Sequence, residues 1–190
     1  QVENSLCALT ALELLRRGHA CSGRPVEISR KQIRDGMRSA RQPGRLELVR
    51  KNPPVILDGA HNPDGMQALC AALCEHFRKK RILLILGVLK DKPVSDMLQE
   101  LRVLAAESNL TIAATEPENP RKLPATELAC AVQAALCTDC LQLPSWREAL
   151  MLAKEASGRG EIVVVAGSLY LIGAIREGWR REHEESAVDL

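Results

Sequence analysis

From residue 45 onward, short near-continuous apolar runs alternate with longer stretches whose apolar residues recur every three or four positions. That rhythm is the strongest constraint on how the chain can fold. The runs at 45–50, 55–57, 82–86, 110–114, 141–143 and 161–166 predict strands, the last containing Ile162-Val163-Val164-Val165. The intervening stretches at 63–77, 94–106, 124–136, 145–156 and 168–181 predict helices. In the first of these, Met66, Leu69, Leu73 and Phe77 fall on one face. Strands that are apolar without alternation are buried on both sides. The expected fold is therefore α/β: a Rossmann-like, mainly parallel sheet with helices on both faces.

Residues 1–42 have a different character. A helix is predicted over 3–15, with Leu6, Leu9 and Leu12 on one side. Gly18 and Gly23-Arg24-Pro25 break it, and Ser29 opens a second helix to about Ala40, with Ile33 and Met37 four apart. Two helices of this size bury little on their own. They read as the tail of another domain, ended by Pro43-Gly44, so the expected division is 1–42 and 43–190. The total of 190 residues fits one domain of ~150 residues with something left over. The first residue is Gln, which suggests a processed or partial chain with more sequence upstream.

Charge and aromatic content exclude several function classes. Lys plus Arg is 26 and Asp plus Glu is 24, a net charge of +2, so nothing points to nucleic acid or a membrane surface. Phe77, Trp146, Tyr170 and Trp179 are the whole aromatic complement, too few for a base-stacking platform. The longest uncharged apolar run, 162–175, falls short of the roughly 18 residues of a membrane span, and no secretory leader precedes the first helix. The seven cysteines, Cys7, Cys21, Cys70, Cys74, Cys130, Cys137 and Cys140, are odd in number and sit in apolar segments, which fits a reducing cytoplasm. Cys137 and Cys140 form a CxxC, and Cys70 and Cys74 lie one helical turn apart. A zinc site would want a second CxxC, so small buried hydrophobes is the preferred reading and no metal ligand is assigned.

In open α/β sheets, ligands bind beyond the carboxyl ends of the strands. Four loops follow predicted parallel strands: 58–65, 87–92, 115–121 and 167–168. In Asp58-Gly59-Ala60-His61-Asn62-Pro63-Asp64-Gly65, Asn62 suits a helix N-cap and Pro63 a first helical residue. Asp58 can accept from ribose hydroxyls, or simply cap the turn. His61 can donate to a phosphate or carboxylate, or be a solvated loop residue. Ser168 opens the last helix, whose N–H groups and dipole favour an anion, or is only its N-cap. Arg121 suits a bidentate carboxylate, or is solvated. Lys90-Asp91-Lys92 is most simply a charged turn. No GxxxxGK[ST] P-loop occurs, no GxGxxG follows a strand, and no HExxH or GxSxG is present.

Five segments carry a family resemblance when taken in order. They are Pro43-Gly44-Arg45-Leu46-Glu47, Leu57-Asp58-Gly59-Ala60-His61-Asn62-Pro63, Gly87-Val88-Leu89-Lys90-Asp91-Lys92, Asn119-Pro120-Arg121 and Ala166-Gly167-Ser168-Leu169-Tyr170-Leu171. Together they resemble the folylpolyglutamate synthase/dihydrofolate synthase enzymes of the Mur ligase superfamily. The resemblance implies the end of a central ATPase domain followed by a complete Mur ligase C-terminal domain. Its P-loop, magnesium ligands and folate site would lie in a missing N-terminal part, leaving the isolated chain inactive. Two departures are Gln42, where the family often has Trp, and Asn4, which lacks an expected preceding His.

The implied chemistry uses ATP, with magnesium, to phosphorylate a folate carboxylate (of tetrahydrofolate or dihydropteroate). The amine of L-glutamate then attacks the acyl phosphate. By the same resemblance, Asn4 lies near the adenine, Arg45 reaches the phosphates and Asp58 binds the nucleotide. His61 and Ser168 order nucleotide and glutamate as the catalytic pair, and Arg121 holds a glutamate carboxylate. Pro43-Gly44 would serve as a hinge for domain closure. Two alternatives remain: a non-catalytic nucleotide-binding or interaction module, and a sister Mur-type ligase for another amino acid.

Overall fold

A computed structural model describes the backbone of residues 2–18, 27–40 and 42–188, and the side chains of 4–18, 27–40 and 42–181. Cys21 and the Gly23-Arg24-Pro25 break lie outside the described residues. The chain divides into two compact units, 1–42 and 43–190.

The first unit holds α1 (Val2–Arg16) and α2 (Arg30–Ser39). Ser29 and Gln32 form a reciprocal capping box at the start of α2, each satisfying a backbone N–H of the other. On α1, Glu13 pairs with Arg16 and Arg17, and the two guanidiniums pull its carboxyl down to about 2. The predicted apolar side is mostly solvent-facing: Leu6 and Leu9 are exposed and Leu12 is half-buried. No side chain of α2 is buried.

The second unit runs β1 (Glu47–Lys51), β2 (Pro54–Leu57), α3 (Pro63–Phe77), β3 (Arg81–Leu86), α4 (Val94–Glu107), β4 (Asn109–Thr115), α5 (Ala125–Leu136), β5 (Cys140–Leu143), α6 (Trp146–Gly158), β6 (Ile162–Ala166) and α7 (Leu169–Val188). These strands form one sheet in the order β1-β2-β6-β3-β4-β5. Every pairing is parallel except β1 with β2. Helix α3 carries the chain from β2 to β3, and α4 and α5 carry it outward to β5. The chain then returns through α6 to set β6 between β2 and β3.

Side chains of the inner strands alternate between two cores. Leu84, Leu86, Ile112, Ala114, Val164 and Ala166 pack with α3, α4 and α5. Leu83, Ile85, Ala113, Val163 and Val165 pack with α6 and α7 on the other face. Burial on both faces explains why these strands read as unbroken apolar runs.

One predicted strand begins late. Arg45 and Leu46 precede β1, because Leu46 turns into the left-handed region (φ +46°) and its N–H bonds to a side chain instead of a neighbouring strand. Pro124, Ser145 and Ser168 stand just before their helices. The last helix runs on to Val188, beyond the predicted 181.

The described cysteines are free thiols. Cys70 is buried on α3, where burial pushes its thiol up to about 12. Cys137 is the left-handed cap of α5, and Cys140 opens β5 against the core. Among the described residues no helix is long and apolar enough to cross a membrane.

Leu84 is fully buried in the central strand β3. Leu84→Ala is expected to cost about 2–5 kcal/mol through lost contacts and the cavity left behind. In thermal denaturation followed by circular dichroism, that corresponds to a Tm lower by roughly 5–15 °C. An unchanged Tm would contradict the two-sided burial of this sheet.

Candidate functional site

Strands β2, β6, β3 and β4 are successive neighbours and mutually parallel, so the loops that leave their carboxyl ends share one rim. Backbone hydrogen bonds lace these loops together. Asp58 N–H donates to Val165 C=O at 2.9 Å, Gly87 N–H to Ala166 C=O at 3.1 Å and Gly167 N–H to Ala60 C=O at 2.9 Å. Gly167 has φ +101°, and a Cβ there would lie 2.6 Å from the Gly87 carbonyl oxygen. This close approach of two loops requires glycine.

Asp58 is 6% exposed at the end of β2. Its Oδ1 accepts from Ala60 N–H at 2.9 Å, and its Oδ2 accepts from Leu46 N–H at 2.8 Å. A buried carboxylate is costly unless its oxygens find donors, and here the backbone supplies them. The turn-capping reading of Asp58 is therefore realised. Each oxygen retains a second lone pair, so a ligand hydroxyl can still donate to it.

Arg45, exposed, stands between two anchored amides. On its far side Leu46 N–H is held by Asp58; on its near side Gly44 N–H donates to Glu47 Oε2 at 2.8 Å. Glu47 Oε1 in turn accepts from Arg176 Nε of α7 at 2.7 Å. Gly44 C=O accepts from Gly59 N–H at 2.7 Å.

His61 is half-buried, with Nδ1 2.6 Å from Gly59 C=O. A carbonyl only accepts, so Nδ1 carries the proton and Nε2 is left as the second ring nitrogen. In the neutral ring Nε2 is an acceptor. It can donate to a phosphate or carboxylate only as the imidazolium. Ser168 is 2% exposed, and its Oγ accepts from Tyr170 N–H at 3.2 Å, capping the first turn of α7. Asn62 caps α3 through Oδ1 to Gly65 N–H at 2.8 Å, with Pro63 as its first residue.

Arg121 belongs to a second group, formed where the β3 and β4 loops meet. Lys90 N–H donates to Arg121 C=O, Leu123 N–H to Val88 C=O, and Leu89 pairs with Lys122. The guanidinium of Arg121 is exposed and reaches Asp91 Oδ2 at 3.3 Å, which also lies 3.5 Å from Lys92 Nζ. Such an exposed pair is weak, so Arg121 can exchange Asp91 for a ligand carboxylate. Glu116 accepts from Ala125 N–H and pairs with Lys122, whose ammonium holds the Glu116 carboxyl below its ordinary value.

Bonding thus joins Arg45, Asp58, His61 and Ser168 through the shared backbone of 44–46, 58–60 and 166–168. Arg121 sits on the neighbouring loop pair, and Asn4 is exposed on α1 in the first unit. Sequence reasoning gave no role to Glu47 or Arg176. The spacing Leu169, Ile172, Arg176 along α7 was the available signal, since it places the three on one face. It also missed Thr115 Oγ1, fully buried at the end of β4 with no hydrogen-bond partner. Among the described residues, no group of three or more His, Cys, Asp or Glu side chains could hold a metal ion.

Residues 44–169 match the family model described as Mur ligase, glutamate ligase domain. The chain is similar to the dihydrofolate synthase/folylpolyglutamate synthase of Bacillus subtilis, 33% identical over 181 residues, covering 93% of this chain and 38% of the relative. It is 36% identical over 150 residues to the folylpolyglutamate synthase of Lacticaseibacillus casei, covering 79% of this chain and 32% of that protein. Among solved structures, Escherichia coli FolC in complex with DHPP and ADP matches with a TM-score of 0.77 and 26% identity, over 95% of this chain and 39% of that one. The chain thus spans well under half the length of these relatives.

Gly167→Ala would force a Cβ against the Gly87 carbonyl in a backbone conformation that alanine disfavours. The expected loss is about 3 kcal/mol or more, from strain and overpacking together. Thermal denaturation should show a Tm lower by roughly 6–12 °C. A variant as stable as the parent would mean that the two loops are not in contact.

Proposed function

The chain belongs to the Mur ligase glutamate ligase domain family, and from that premise we propose that it is the C-terminal part of an ATP-dependent ligase that joins L-glutamate to a folate. Residues 1–42 are then the last helices of a central ATPase domain, and the P-loop and magnesium ligands belong to that domain. The reading places the enzyme in the cytoplasm, where ATP is available and thiols stay reduced.

The observation that carries this reading is the bonded rim cluster, with exposed Arg45 fixed beside Asp58, His61 and the N-terminus of α7. ATP supplies the phosphoryl group that turns the folate carboxylate into an acyl phosphate, and amide formation then releases inorganic phosphate. Arg45 presents a permanent positive charge to the phosphates, where charge builds in the transition state. Asp58 has lone pairs left for a ribose hydroxyl, and Asn4 is the residue for the adenine. His61, proton on Nδ1, offers Nε2 to the incoming glutamate: as a base toward its ammonium, or as the imidazolium toward a carboxylate. Ser168 fixes the helix start that faces the anion. Arg121 holds a glutamate carboxylate once it leaves Asp91.

The test is an assay of the complete ligase polypeptide for ATP-dependent addition of glutamate to tetrahydrofolate or dihydropteroate. Turnover with another amino acid in place of glutamate would favour the sister-ligase reading. Nucleotide binding without turnover would favour the interaction module. Arg45→Ala should lower kcat/KM for ATP by about 100-fold, the size seen when one preorganised charge donor is removed. Unchanged ATP kinetics would remove Arg45 from the site. Arg121→Ala should raise KM for glutamate by about tenfold, one lost charge-assisted pair, with KM for ATP unmoved. Equal effects on both substrates would refute the glutamate role.

A further inference from the structure

We propose that Glu47 and Arg176 are positioning residues that fix the backbone on which Arg45 is mounted. The inference rests on the reading of Arg45 as a phosphate-contacting group, and it adds a relay from α7 to that group. The four residues 44–47 run over the start of α7, and the amide N–H groups of the residues on either side of Arg45, Gly44 and Leu46, are held by carboxylates. Asp58 holds the Leu46 side from β2. Glu47 holds the Gly44 side, and its two oxygens have separate partners: Oε2 takes the Gly44 amide and Oε1 takes Arg176 Nε.

Arg176 therefore sets the rotamer of Glu47, Glu47 holds the Pro43–Gly44 peptide, and Gly59 N–H holds the carbonyl of the Gly44–Arg45 peptide that follows it. Glu47 and Arg176 side chains are 20% and 36% exposed, so the pair is partly withdrawn from water and better ordered than a fully solvated ion pair. Gly44 completes the constraint. Its φ is +71°, and a Cβ there would lie 2.4 Å from Ile172 Cδ1, so the segment lies flat on the helix that carries Arg176. Ile172 and Arg176 are one turn apart on the same face. Leu46, with φ +46°, is held in a conformation an isolated leucine avoids. Such a conformation persists only where surrounding bonds over-determine it, and here they surround the one exposed arginine of the segment.

An arginine displaced by about 1 Å from a reacting phosphoryl group loses up to 100-fold in rate, so anchoring its backbone has a kinetic consequence. In the complete ligase, Arg176→Met keeps the apolar stem and removes the charge. It should lower kcat/KM for ATP by about tenfold with KM for glutamate unchanged, and Arg176→Lys should recover most of the loss by pairing with Glu47. In an Arg45→Ala background, Arg176→Met should cause no further loss, because it acts through Arg45. An equal further loss in that background would overturn the relay, as would full activity of Arg176→Met in the parent.

A second readout separates failure of the relay from failure of the functional reading. Amide exchange at Gly44, followed by NMR in the 190-residue chain, should quicken by about tenfold in both Arg176→Met and Glu47→Gln, as expected for an opened local hydrogen bond. Unchanged exchange would overturn the clamp itself. Quickened exchange with Arg45→Ala kinetically silent would uphold the clamp and refute the phosphate role.

Discussion

The position of β6 governs the rim. By pairing with β2 on one side and β3 on the other, it sets the ends of three strands from distant parts of the sequence side by side. Those ladders end in the bonds that join Asp58 to Val165, Gly87 to Ala166 and Gly167 to Ala60. The clearance between the loops is set by the absence of a side chain at Gly167. The β2–β6 ladder holds Asp58 and His61 beside Ser168, and the β3–β6 ladder brings the Gly87 loop against the same strand.

Two buried or half-buried carboxylates convert that scaffold into a directed one. Asp58 and Glu47 are acceptors for backbone N–H groups that no strand or helix satisfies, and burying them without those donors would be costly. The same bonds leave Arg45 as an exposed charge on a fixed backbone. Fixing the backbone removes the backbone share of the entropy that a contact at Arg45 would cost, and leaves only the rotamers of the side chain to be ordered. Arg121 is the contrasting case: its guanidinium is exposed and exchangeable, and only its backbone is tied to the loop after β3.

The first unit shows what happens without such support. Helices α1 and α2 have well-formed local features, a capping box and i,i+3 and i,i+4 ion pairs, yet Leu6, Leu9, Leu14 and Leu15 remain exposed. Capping and ion pairs form helices; they do not bury them. Asn4 is on this unit, so its proposed part in adenine binding rests on the family resemblance and not on the rim.

The sequence by itself determined the element order, the two-faced burial of β2, β3, β4 and β6, and the loops that make the rim. These follow from local periodicity and from caps such as Asn62 and Ser145, which act within four residues. It left Asp58, His61 and Ser168 each with a bland and a functional reading, because a side chain's partners are not encoded in its spacing. Only the tertiary structure decided that both oxygens of Asp58 hold backbone amides, that His61 has its proton on Nδ1, and that Arg176 reaches Glu47 across 129 positions of sequence. The bonds from Asp58 to Ala60 and from His61 to Gly59 are local turns that spacing leaves undecided between several conformations, whereas those from Leu46 to Asp58 and from Arg176 to Glu47 join separate elements. The long-range bonds depend on where the 44–47 segment packs against β2 and α7, and packing between elements far apart in the chain has no local signature.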